Sequence, residues 1–420
     1  MPFRFVHTAD LHLDSPLKSL ALRNVELADL VGSASRIALQ RIVDLCLEER
    51  VDALIIAGDL YDGDQTSMKT ARFLALQMAR LNEADIKVFK VRGNHDAASR
   101  ITAELVLPPC VTIFGGRGDN VELGSAACPV AIHGVSFAKP QAPESLLPKF
   151  KPPREGVTNI GILHTSLAGA AGHDTYAPCS LAELDRSGFR YWALGHIHMR
   201  SEHEGNAHVI MPGIPQGRDI NEAGRKTVSL VTVGDDGTIA AEERAVSMAE
   251  FQRVPVDVGG LTQWTDLVSK VARSLEQVRD SVDAEHVIVR PHLHGATPLH
   301  FRMLRDRDLL LAEAEKAAEQ TGRTWIDRLI VEADPVRSGF ADATDPLIEL
   351  EDLMGRARAD LMIRKEVEEL VSMLIADLPP ELRDLAGHGD DERSRFIDGL
   401  LADGSIEVLA KLAGGGGEGA

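Results

Sequence analysis

The sequence predicts an α/β protein with a larger mixed domain, a small α/β module and a helical carboxy-terminal region. Short β-branched runs alternate with amphipathic stretches in the first half, hairpin-like runs follow, and strand patterns disappear near the end. The composition is that of a folded protein, because 44% of the 420 residues are apolar and 26% are charged. These proportions exclude a disordered or collagen-like chain.

The first half contains the elements that we expect to form a sheet covered by helices. Apolar residues recur on one helical face over 34–49 and 68–82, which predicts two packing helices. Short apolar runs predict strands at 3–8, 53–57, 87–91, 158–163 and 191–194. Two runs at 227–233 and 239–245 flank a Gly-Asp-Asp-Gly turn region and predict a closing hairpin.

The second half divides into a small α/β module at 251–335 and a helical region at 336–420. In the module, the patterns predict helices at 261–278 and 309–319 and strands at 286–293 and 324–332. Beyond it, an apolar stripe over 363–374 predicts an amphipathic helix, interrupted later by Pro379 and Pro380. The region is acidic and ends in a glycine-rich segment that we expect to be flexible.

Charge and cysteine content limit the function classes. The net charge of −19 argues against a polycationic nucleic-acid coat, although bound cations or a local basic patch would still allow contact with DNA. The four cysteines form no CxxC pair, which is typical of a reducing compartment. No apolar run approaches a membrane span, and the opening MPFRFVHTAD turns polar too early for a signal peptide. We therefore expect a cytoplasmic protein.

Residues capable of binding metal follow each of the first five predicted strands. They are Asp10 and His12, then Asp59 and Asp62 in GDLYD, Asn94 and His95 in GNHD, then His164, and finally His196 and His198 in GHIH. Because the carboxyl ends of strands in an open α/β sheet share one edge, we expect one pocket. Each motif alone is compatible with a turn or a helix cap, but five in order indicate a site.

The donor types predict a metal centre. Two Asp, one Asn and four His offer oxygen and nitrogen ligands without a thiolate, which suits Mn²⁺, Fe²⁺ or Zn²⁺ and not a structural zinc site. A carboxylate such as Asp59 can bridge two ions about 4 Å apart, and such a pair activates water for attack on phosphorus. The predicted chemistry is phosphoester hydrolysis.

The other histidines are predicted to lie outside this centre. His7 lies within a strand, where a hydrogen-bonded core position is expected. Four others lack a matching partner segment: His133, His173, His203 and His208. Four more alternate with apolar residues or lie nearby, which predicts a half-exposed surface: His286, His292, His294 and His300.

The five motifs, in this order, resemble those of the calcineurin-like metallophosphoesterase superfamily over about residues 1–246. The opening FRFVHTADLHLDSPL, the GDLYD and GNHD pair and the later PGIPQGRDINEAG look like the SbcD and YhaO branch of DNA-repair exonucleases. The segment GATPLH at 295–300 extends the resemblance into the second module. The resemblance implies a two-layered β-sandwich core flanked by helices at 1–250, a capping domain at 251–335 and a helical C-terminal region at 336–420.

The resemblance also implies a role for each residue of the motifs. One ion would be held by Asp10, His12, Asp59 and His198, and the other by Asp59, Asn94, His164 and His196; both would be Mn²⁺. His95 would contact the phosphate and assist the leaving oxygen, with Asp62 keeping it protonated. Aspartate at position 62 is typical of bacterial members, whereas archaeal and eukaryotic relatives usually have histidine there.

Arg218 has two interpretations that the sequence leaves open. It is either a phosphate contact or a loop arginine paired with Glu222 or Asp219. The segment reads GRD where GRH is expected in many YhaO-type proteins, so no histidine role transfers to Asp219.

The activity implied is that of a cytoplasmic DNA exonuclease with single-strand endonuclease activity. Its implied partners are DNA, an SMC-like ATPase of the SbcC/YhaN type that docks on helices after the cap, and a second copy of the chain in a homodimer; no membrane is involved. The amphipathic tail would also suit an ordinary helical hairpin. Two alternatives stay open: a phosphatase or cyclic-nucleotide phosphodiesterase with the same motifs, and a scaffold with a vestigial metal site.

Overall fold

The structure is a computed structural model that describes residues 2–15, 25–62, 67–98, 106–167, 176–336, 346–378, 386–387 and 389–414. The strands are β1 (Phe3–Thr8), β2 (Ala53–Ala57), β3 (Lys87–Val91), β4 (Val111–Ile113), β5 (Asp119–Ser125), β6 (Cys128–Val135), β7 (Thr158–His164), β8 (Tyr191–Gly195), β9 (Ser201–Glu204), β10 (His208–Met211), β11 (Thr227–Val233), β12 (Ile239–Ala245), β13 (Ala249–Asp257), β14 (His286–Ala296), β15 (Thr324–Ile326) and β16 (Ile330–Asp334). The helices are α1 (Val25–Glu48), α2 (Met68–Glu83), α3 (Leu181–Arg186), α4 (Trp264–Ser281), α5 (His300–Arg305), α6 (Arg307–Thr321), α7 (Pro346–Ala359), α8 (Leu361–Asp377) and α9 (Asp390–Gly414). Among these helices, none has the length and apolarity to cross a bilayer.

Two mixed sheets form the amino-terminal part of the fold. The first has the order β12-β11-β1-β2-β3-β4, and the second has the order β5-β6-β7-β8-β10-β9. Strands β1 to β4 run parallel to one another, as do β6, β7, β8 and β10. Each sheet therefore presents the carboxyl ends of several parallel strands at one edge.

The two sheets pack face to face. Phe5, Ile55 and Phe89 of the first sheet share a buried apolar core with Ile132 and Ile162 of the second. The alternate residues of the first sheet face α1 and α2 in a separate core. Each fully buried Ile or Phe contributes roughly 1.5–3 kcal/mol of transfer free energy, so these layers hold the strand ends in place. The two-layered β-sandwich flanked by helices is thus confirmed.

The helix predicted at 34–49 begins earlier than its periodicity indicated. Helix α1 starts at Val25, and its first turns place the buried Leu27 against Ile220 and Phe251. Gly32 and Ser33 resemble a helix start in the sequence, but this long-range packing extends the helix through them.

The single strand predicted at 324–332 was wrong, because two strands occupy this segment. β15 pairs with the beginning of β14, where Val289 lies opposite Ile326, whereas β16 pairs with its end, where His292 lies opposite Ile330. The register shifts by one residue between the two pairings. Pro291 lies at this point of β14 and has no N–H for the ladder, which explains the interruption.

The remaining strands and helices build the second half. One sheet has the order β13-β14-β15, with β16 also paired to β14. Helix α9 packs against α5, α7 and α8. The described residues of the C-terminal region are helical throughout their regular structure, as predicted. Pro379, Pro380, His173 and the glycine-rich end from 415 onwards lie outside the described residues.

Contacts divide the chain into two units. One comprises Met1–Arg253, Val278–Val289 and Arg323–Asp327, and the other comprises Val254–Gln277, Arg290–Gly322 and Arg328–Ala420. These bounds differ from the expected boundaries at 250 and 335, and the three-segment division stays a prediction.

Candidate metal centre

The predicted metal ligands come from both sheets and not from the edge of one open sheet. Asp10 and His12 follow β1, Asp59 follows β2, and Asn94 follows β3, all in the first sheet. The other ligands, His164, His196 and His198, come from the ends of β7 and β8 in the second sheet. The expectation of a single sheet edge was therefore wrong. Face-to-face packing of the sheets brings the two sets of strand ends together.

The ligand atoms form two groups. Asp10, His12 and His198 each offer an atom within 4.8 Å of the others, and Nε2 of His12 lies 3.2 Å from Nε2 of His198. Asp59, His164 and His196 form the second group by the same criterion. Oδ1 of Asn94 joins that group, 3.1 Å from Nε2 of His164. The structure thus brings together all seven predicted ligands.

Hydrogen bonds show which ring nitrogens are available to a metal. Nδ1 of His164 lies 2.9 Å from the carbonyl oxygen of Ala57, and Nδ1 of His198 lies 2.7 Å from Oε1 of Glu222. Both oxygens only accept, so each Nδ1 carries the hydrogen and each Nε2 presents a lone pair. Nε2 of His164 then faces Oδ1 of Asn94 and, at 3.2 Å, Oδ2 of Asp59. Acceptors so close repel one another unless a proton or a metal ion lies among them, and this set of oxygen and nitrogen donors fits divalent metal ions.

The electrostatics of the centre also favour positive charge. Burial lowers the pKa of His164, but the carboxylate of Asp59 outweighs this effect and raises that pKa to about 9. Burial likewise raises the pKa of Asp59, but His164 outweighs it and holds the pKa well below its usual range. Without metal the cluster therefore retains a proton on His164, and a dication would compete with that proton.

Several ligand positions have left-handed backbone. The φ angles are 51° at Asp10, 41° at His12, 47° at Asp59 and 107° at His196. Such conformations cost about 1–3 kcal/mol each in residues other than glycine and are concentrated at functional sites. Backbone hydrogen bonds hold them, since Asp10 N donates to Gly58 O and His12 N donates to Asp59 O, both at 3.1 Å. Motif order does not reveal this strain.

The glycine of GNHD permits a close approach of ligands. A Cβ added to Gly93 would overlap the carboxylate of Asp59 and the ring of His164. Glycine at this position is therefore required for the observed spacing of the second group.

The structure places His95 beside Asp62. Nδ1 of His95 lies 3.0 Å from Oδ1 of Asp62, whose other oxygen accepts a 2.7 Å hydrogen bond from Ser15 Oγ. The hydrogen bond to Asp62 raises the pKa of His95, and those from His12 and His95 hold the pKa of Asp62 far below its usual range. The side chain of His95 is 39% exposed, so a substrate can reach it.

Arg218 is paired with Glu222, as one of its two interpretations expected. Its Nη2 lies 2.8 Å from Oε1 of Glu222, and its backbone N donates to Oε2 at 2.7 Å. Nη1 of Arg218 also lies 4.0 Å from Oδ2 of Asp62, so the guanidinium borders the centre. The phosphate contact stays a prediction. Asp219 caps the short 3₁₀ helix Ile220–Glu222 by accepting from Asn221 N at 2.7 Å.

Two features of the site were not recognised from the sequence. Glu222 was considered only as a partner of Arg218, yet it also orients His198. A buried ion pair joins Lys90 Nζ to Asp96 Oδ2 at 3.1 Å, and Oδ1 of Asp96 accepts from the backbone N of Leu60 and Tyr61. This pair links the GDLYD and GNHD loops. A lysine within the apolar strand KVFKV was the available signal.

Histidines outside the centre have ordinary structural partners. His292 pairs with Glu332 at 2.7 Å, and His300 Nδ1 lies 2.6 Å from the carbonyl oxygen of Ala333. In the described ranges these residues join no group of metal-binding side chains. Glu202, Glu204 and His208 do form a small group, but it lies where β9 leads into β10, beside the amino-terminal end of β8 and not beside His196.

Comparisons with known proteins agree with this geometry. The calcineurin-like phosphoesterase model matches residues 3–200, and the model of the metallophosphoesterase YhaO middle domain matches 251–334. The uncharacterized metallophosphoesterase YhaO of Bacillus subtilis is 30% identical over 401 residues, which cover 87% of this chain and 94% of that protein. The DNA double-strand break repair protein Mre11 of Methanopyrus kandleri is 24% identical over 91% of this chain and 85% of its own. A second Mre11, from Archaeoglobus fulgidus, is 27% identical over 53% of this chain and 52% of its own. The chain therefore belongs to the calcineurin-like metallophosphoesterases that carry a YhaO middle domain.

Proposed function

We propose that this metallophosphoesterase is a DNA exonuclease of DNA repair, with single-strand endonuclease activity, that uses two Mn²⁺ ions. The observation that carries the hydrolytic part is the convergence of seven oxygen and nitrogen ligands beside the His95–Asp62 pair. DNA as substrate is supported by the similarity to proteins named for double-strand break repair, one of which aligns over 91% of this chain.

The residues of the chain divide the work of hydrolysis. When bound, the two ions would supply an activated water and neutralise charge on the phosphate. Asp62 holds the Nδ1 hydrogen of His95, so Nε2 of the imidazolium donates its proton to the leaving oxygen. The guanidinium of Arg218 binds a non-bridging phosphate oxygen. Because these positive groups are concentrated at the centre, a chain with a net charge of −19 still engages DNA.

We propose the cytoplasm as the place of this activity. None of the four cysteines, all buried, forms a disulfide, which supports a reducing compartment. Manganese is proposed because carboxylate, amide and imidazole ligands without thiolate suit it.

An SMC-like ATPase of the SbcC/YhaN type is the proposed partner, docked on α8. This helix exposes Leu370 at 64%, Met373 at 66% and Leu374 at 59%, which is the kind of surface that a partner helix covers. Changing Leu370 and Met373 to Glu should abolish co-elution with such an ATPase. The same change at Leu309, a 48% exposed residue of α6, should leave co-elution intact. Unchanged co-elution of the double variant would contradict this docking site.

We also propose a homodimer formed through helices of the phosphoesterase domain. Light scattering should give twice the subunit mass of 45.5 kDa, and a single subunit mass would contradict the dimer.

The substrate class is tested by direct comparison. End-labelled single- and double-stranded DNA and p-nitrophenyl phosphate are incubated with Mn²⁺, Mg²⁺ or EDTA. The proposal predicts progressive shortening of DNA with Mn²⁺, abolished by EDTA, and much slower turnover of the small ester. Turnover of p-nitrophenyl phosphate without DNA cleavage would indicate a small-substrate phosphatase, and metal binding without turnover of either would indicate a scaffold.

A further inference from the structure

The carboxylate of Glu222 contacts two residues that border the metal centre. Its Oε1 lies 2.7 Å from Nδ1 of His198 and 2.8 Å from Nη2 of Arg218, while Oε2 lies 2.7 Å from the backbone N of Arg218. The side chain of Glu222 is only 12% exposed. The guanidinium and the backbone N–H only donate, so the carboxylate of Glu222 accepts hydrogen bonds at both of its oxygens.

The contact with Glu222 determines which nitrogen of His198 faces the centre. Nη2 of Arg218 also lies 3.2 Å from Nδ1 of His198, but the guanidinium only donates, and both groups share Oε1 of Glu222. The hydrogen of His198 therefore resides on Nδ1, and the Nε2 lone pair points towards Nε2 of His12, 3.2 Å away. Without an acceptor at Nδ1, the ring of His198, which is 27% exposed, would be free to change its tautomer or rotate.

The same carboxylate directs Arg218. With Nε and Nη2 held by Glu222, Nη1 is left facing Asp62 Oδ2 at 4.0 Å and Ser15 Oγ at 3.5 Å. Asp62 is the partner of His95, so Nη1 of Arg218 lies on the side of the centre where the scissile phosphate would be bound.

We propose that Glu222 is a positioning residue with two separable functions. It fixes Nε2 of His198 as a ligand of one metal ion, and it aims Arg218 at the phosphate. This inference rests on the proposed two-ion site and adds to it a residue that neither binds the metal nor touches the substrate.

Two substitutions separate these functions. Glu222→Gln keeps an amide oxygen that can accept the Nδ1 hydrogen of His198, but it removes the negative charge that holds Arg218. Glu222→Ala removes both. Arg218→Met leaves Glu222 bound to His198 and removes only the guanidinium. Glu332→Gln, in the exposed 2.7 Å pair with His292, is the matched control for loss of a carboxylate bonded to histidine.

The test is a titration of the metal-free chain with Mn²⁺ alone, monitored by calorimetry and electron paramagnetic resonance. KM and kcat for DNA are measured separately. In Glu222→Ala, one of the two ions should bind about 10–100-fold more weakly and the exchange-coupled signal of the ion pair should be lost. In Glu222→Gln and Arg218→Met, both ions should bind with wild-type affinity while KM for DNA increases. Glu332→Gln should change neither quantity.

Other results overturn the inference or the proposed function on which it rests. Binding of two ions by Glu222→Ala with wild-type affinity would show that His198 needs no acceptor at Nδ1. An equal loss of Mn²⁺ affinity in Glu222→Gln and Glu222→Ala would show that the hydrogen-bond acceptor at position 222 does not determine metal binding. Circular dichroism of the metal-free variants separates these effects from misfolding, and the isosteric Glu222→Gln provides the comparison if the alanine variant does not fold. A wild-type protein that binds two ions but cleaves no DNA would contradict the proposed substrate and leave the metal-positioning function standing, whereas failure to bind two ions would overturn both.

Discussion

The buried ion pair between Lys90 and Asp96 offers a quantitative test of how the metal loops are held. The side chains are 4% and 0% exposed, and Nζ lies 3.1 Å from Oδ2. Lys90→Met would remove the cation and leave the carboxylate of Asp96 buried, with only the two backbone hydrogen bonds to its Oδ1. Loss of one partner of a buried ion pair lowers the free energy of unfolding by about 3–5 kcal/mol. Because two hydrogen bonds to Asp96 remain, we expect a loss of about 3 kcal/mol here.

The same strand contains a matched control. Lys87 pairs with Asp85 at 2.6 Å, but Asp85 is 90% exposed, so Lys87→Met should leave stability nearly unchanged. Urea unfolding of the metal-free protein is followed by fluorescence of the buried Trp192, with Trp264 and Trp325 replaced by Phe in all variants. If Lys90→Met lowers the free energy of unfolding by less than about 1 kcal/mol, or by no more than Lys87→Met does, the buried ion pair does not hold the loops together.

Two further predictions concern other parts of the first unit. His7 is fully buried between Tyr191 Oη and Leu194 O, and burial lowers its pKa to about 3, so it is neutral when folded and takes up a proton only on unfolding. Neutral His7 therefore contributes fully to the free energy of unfolding above its unfolded-state pKa of 6.5, and this contribution is lost as the pH falls. From pH 7 to pH 5, the free energy of unfolding of the wild type should fall by about 2 kcal/mol more than that of His7→Asn. Parallel pH profiles of the two proteins in urea unfolding would contradict this. Gly93→Ala should abolish binding of Mn²⁺ at the second ligand group, because the new Cβ overlaps Asp59 and His164, whereas Gly115→Ala, with nothing within 4 Å of its Cβ, should bind as wild type. Calorimetry with Mn²⁺ measures the number of ions bound by the two glycine variants. Binding of two ions by Gly93→Ala would show that the loops move to accommodate the new Cβ.

The sequence allowed the ligand set to be predicted because each ligand lies at the end of a strand or within a few residues after it. Strand ends are local features, so periodicity located β1, β2, β3, β7 and β8, and motif order identified the residues after them. Recognition of the family supplied what periodicity did not, namely that the strands belong to two facing sheets. The residues alone suggested one open sheet, because sequence does not record which strands pair.

Features set by distant contacts were missed or misplaced. The edge strand β5, DNVELGS, has only the short alternation of Val121 and Leu123, and β6 begins with Cys-Pro, so neither has a clear strand pattern. The early start of α1 depends on Leu27 meeting Phe251, more than 200 residues away in the chain. The contact of Glu222 with His198 and that of Asp96 with the backbone of Leu60 and Tyr61 exist only in the fold. For the second of these contacts, the lysine within the apolar strand KVFKV was the available local signal.

The seven ligands are proposed to form a two-ion centre where His95 acts on the phosphate without binding metal. The most direct measurement combines Mn²⁺ stoichiometry with DNA cleavage for the wild type, His95→Gln and Asp59→Asn. We predict that His95→Gln binds two ions but cleaves DNA about 10²–10⁴-fold more slowly, whereas Asp59→Asn loses both bound ions and activity. DNA cleavage by Asp59→Asn at the wild-type rate, or loss of the ions in His95→Gln, would contradict the account.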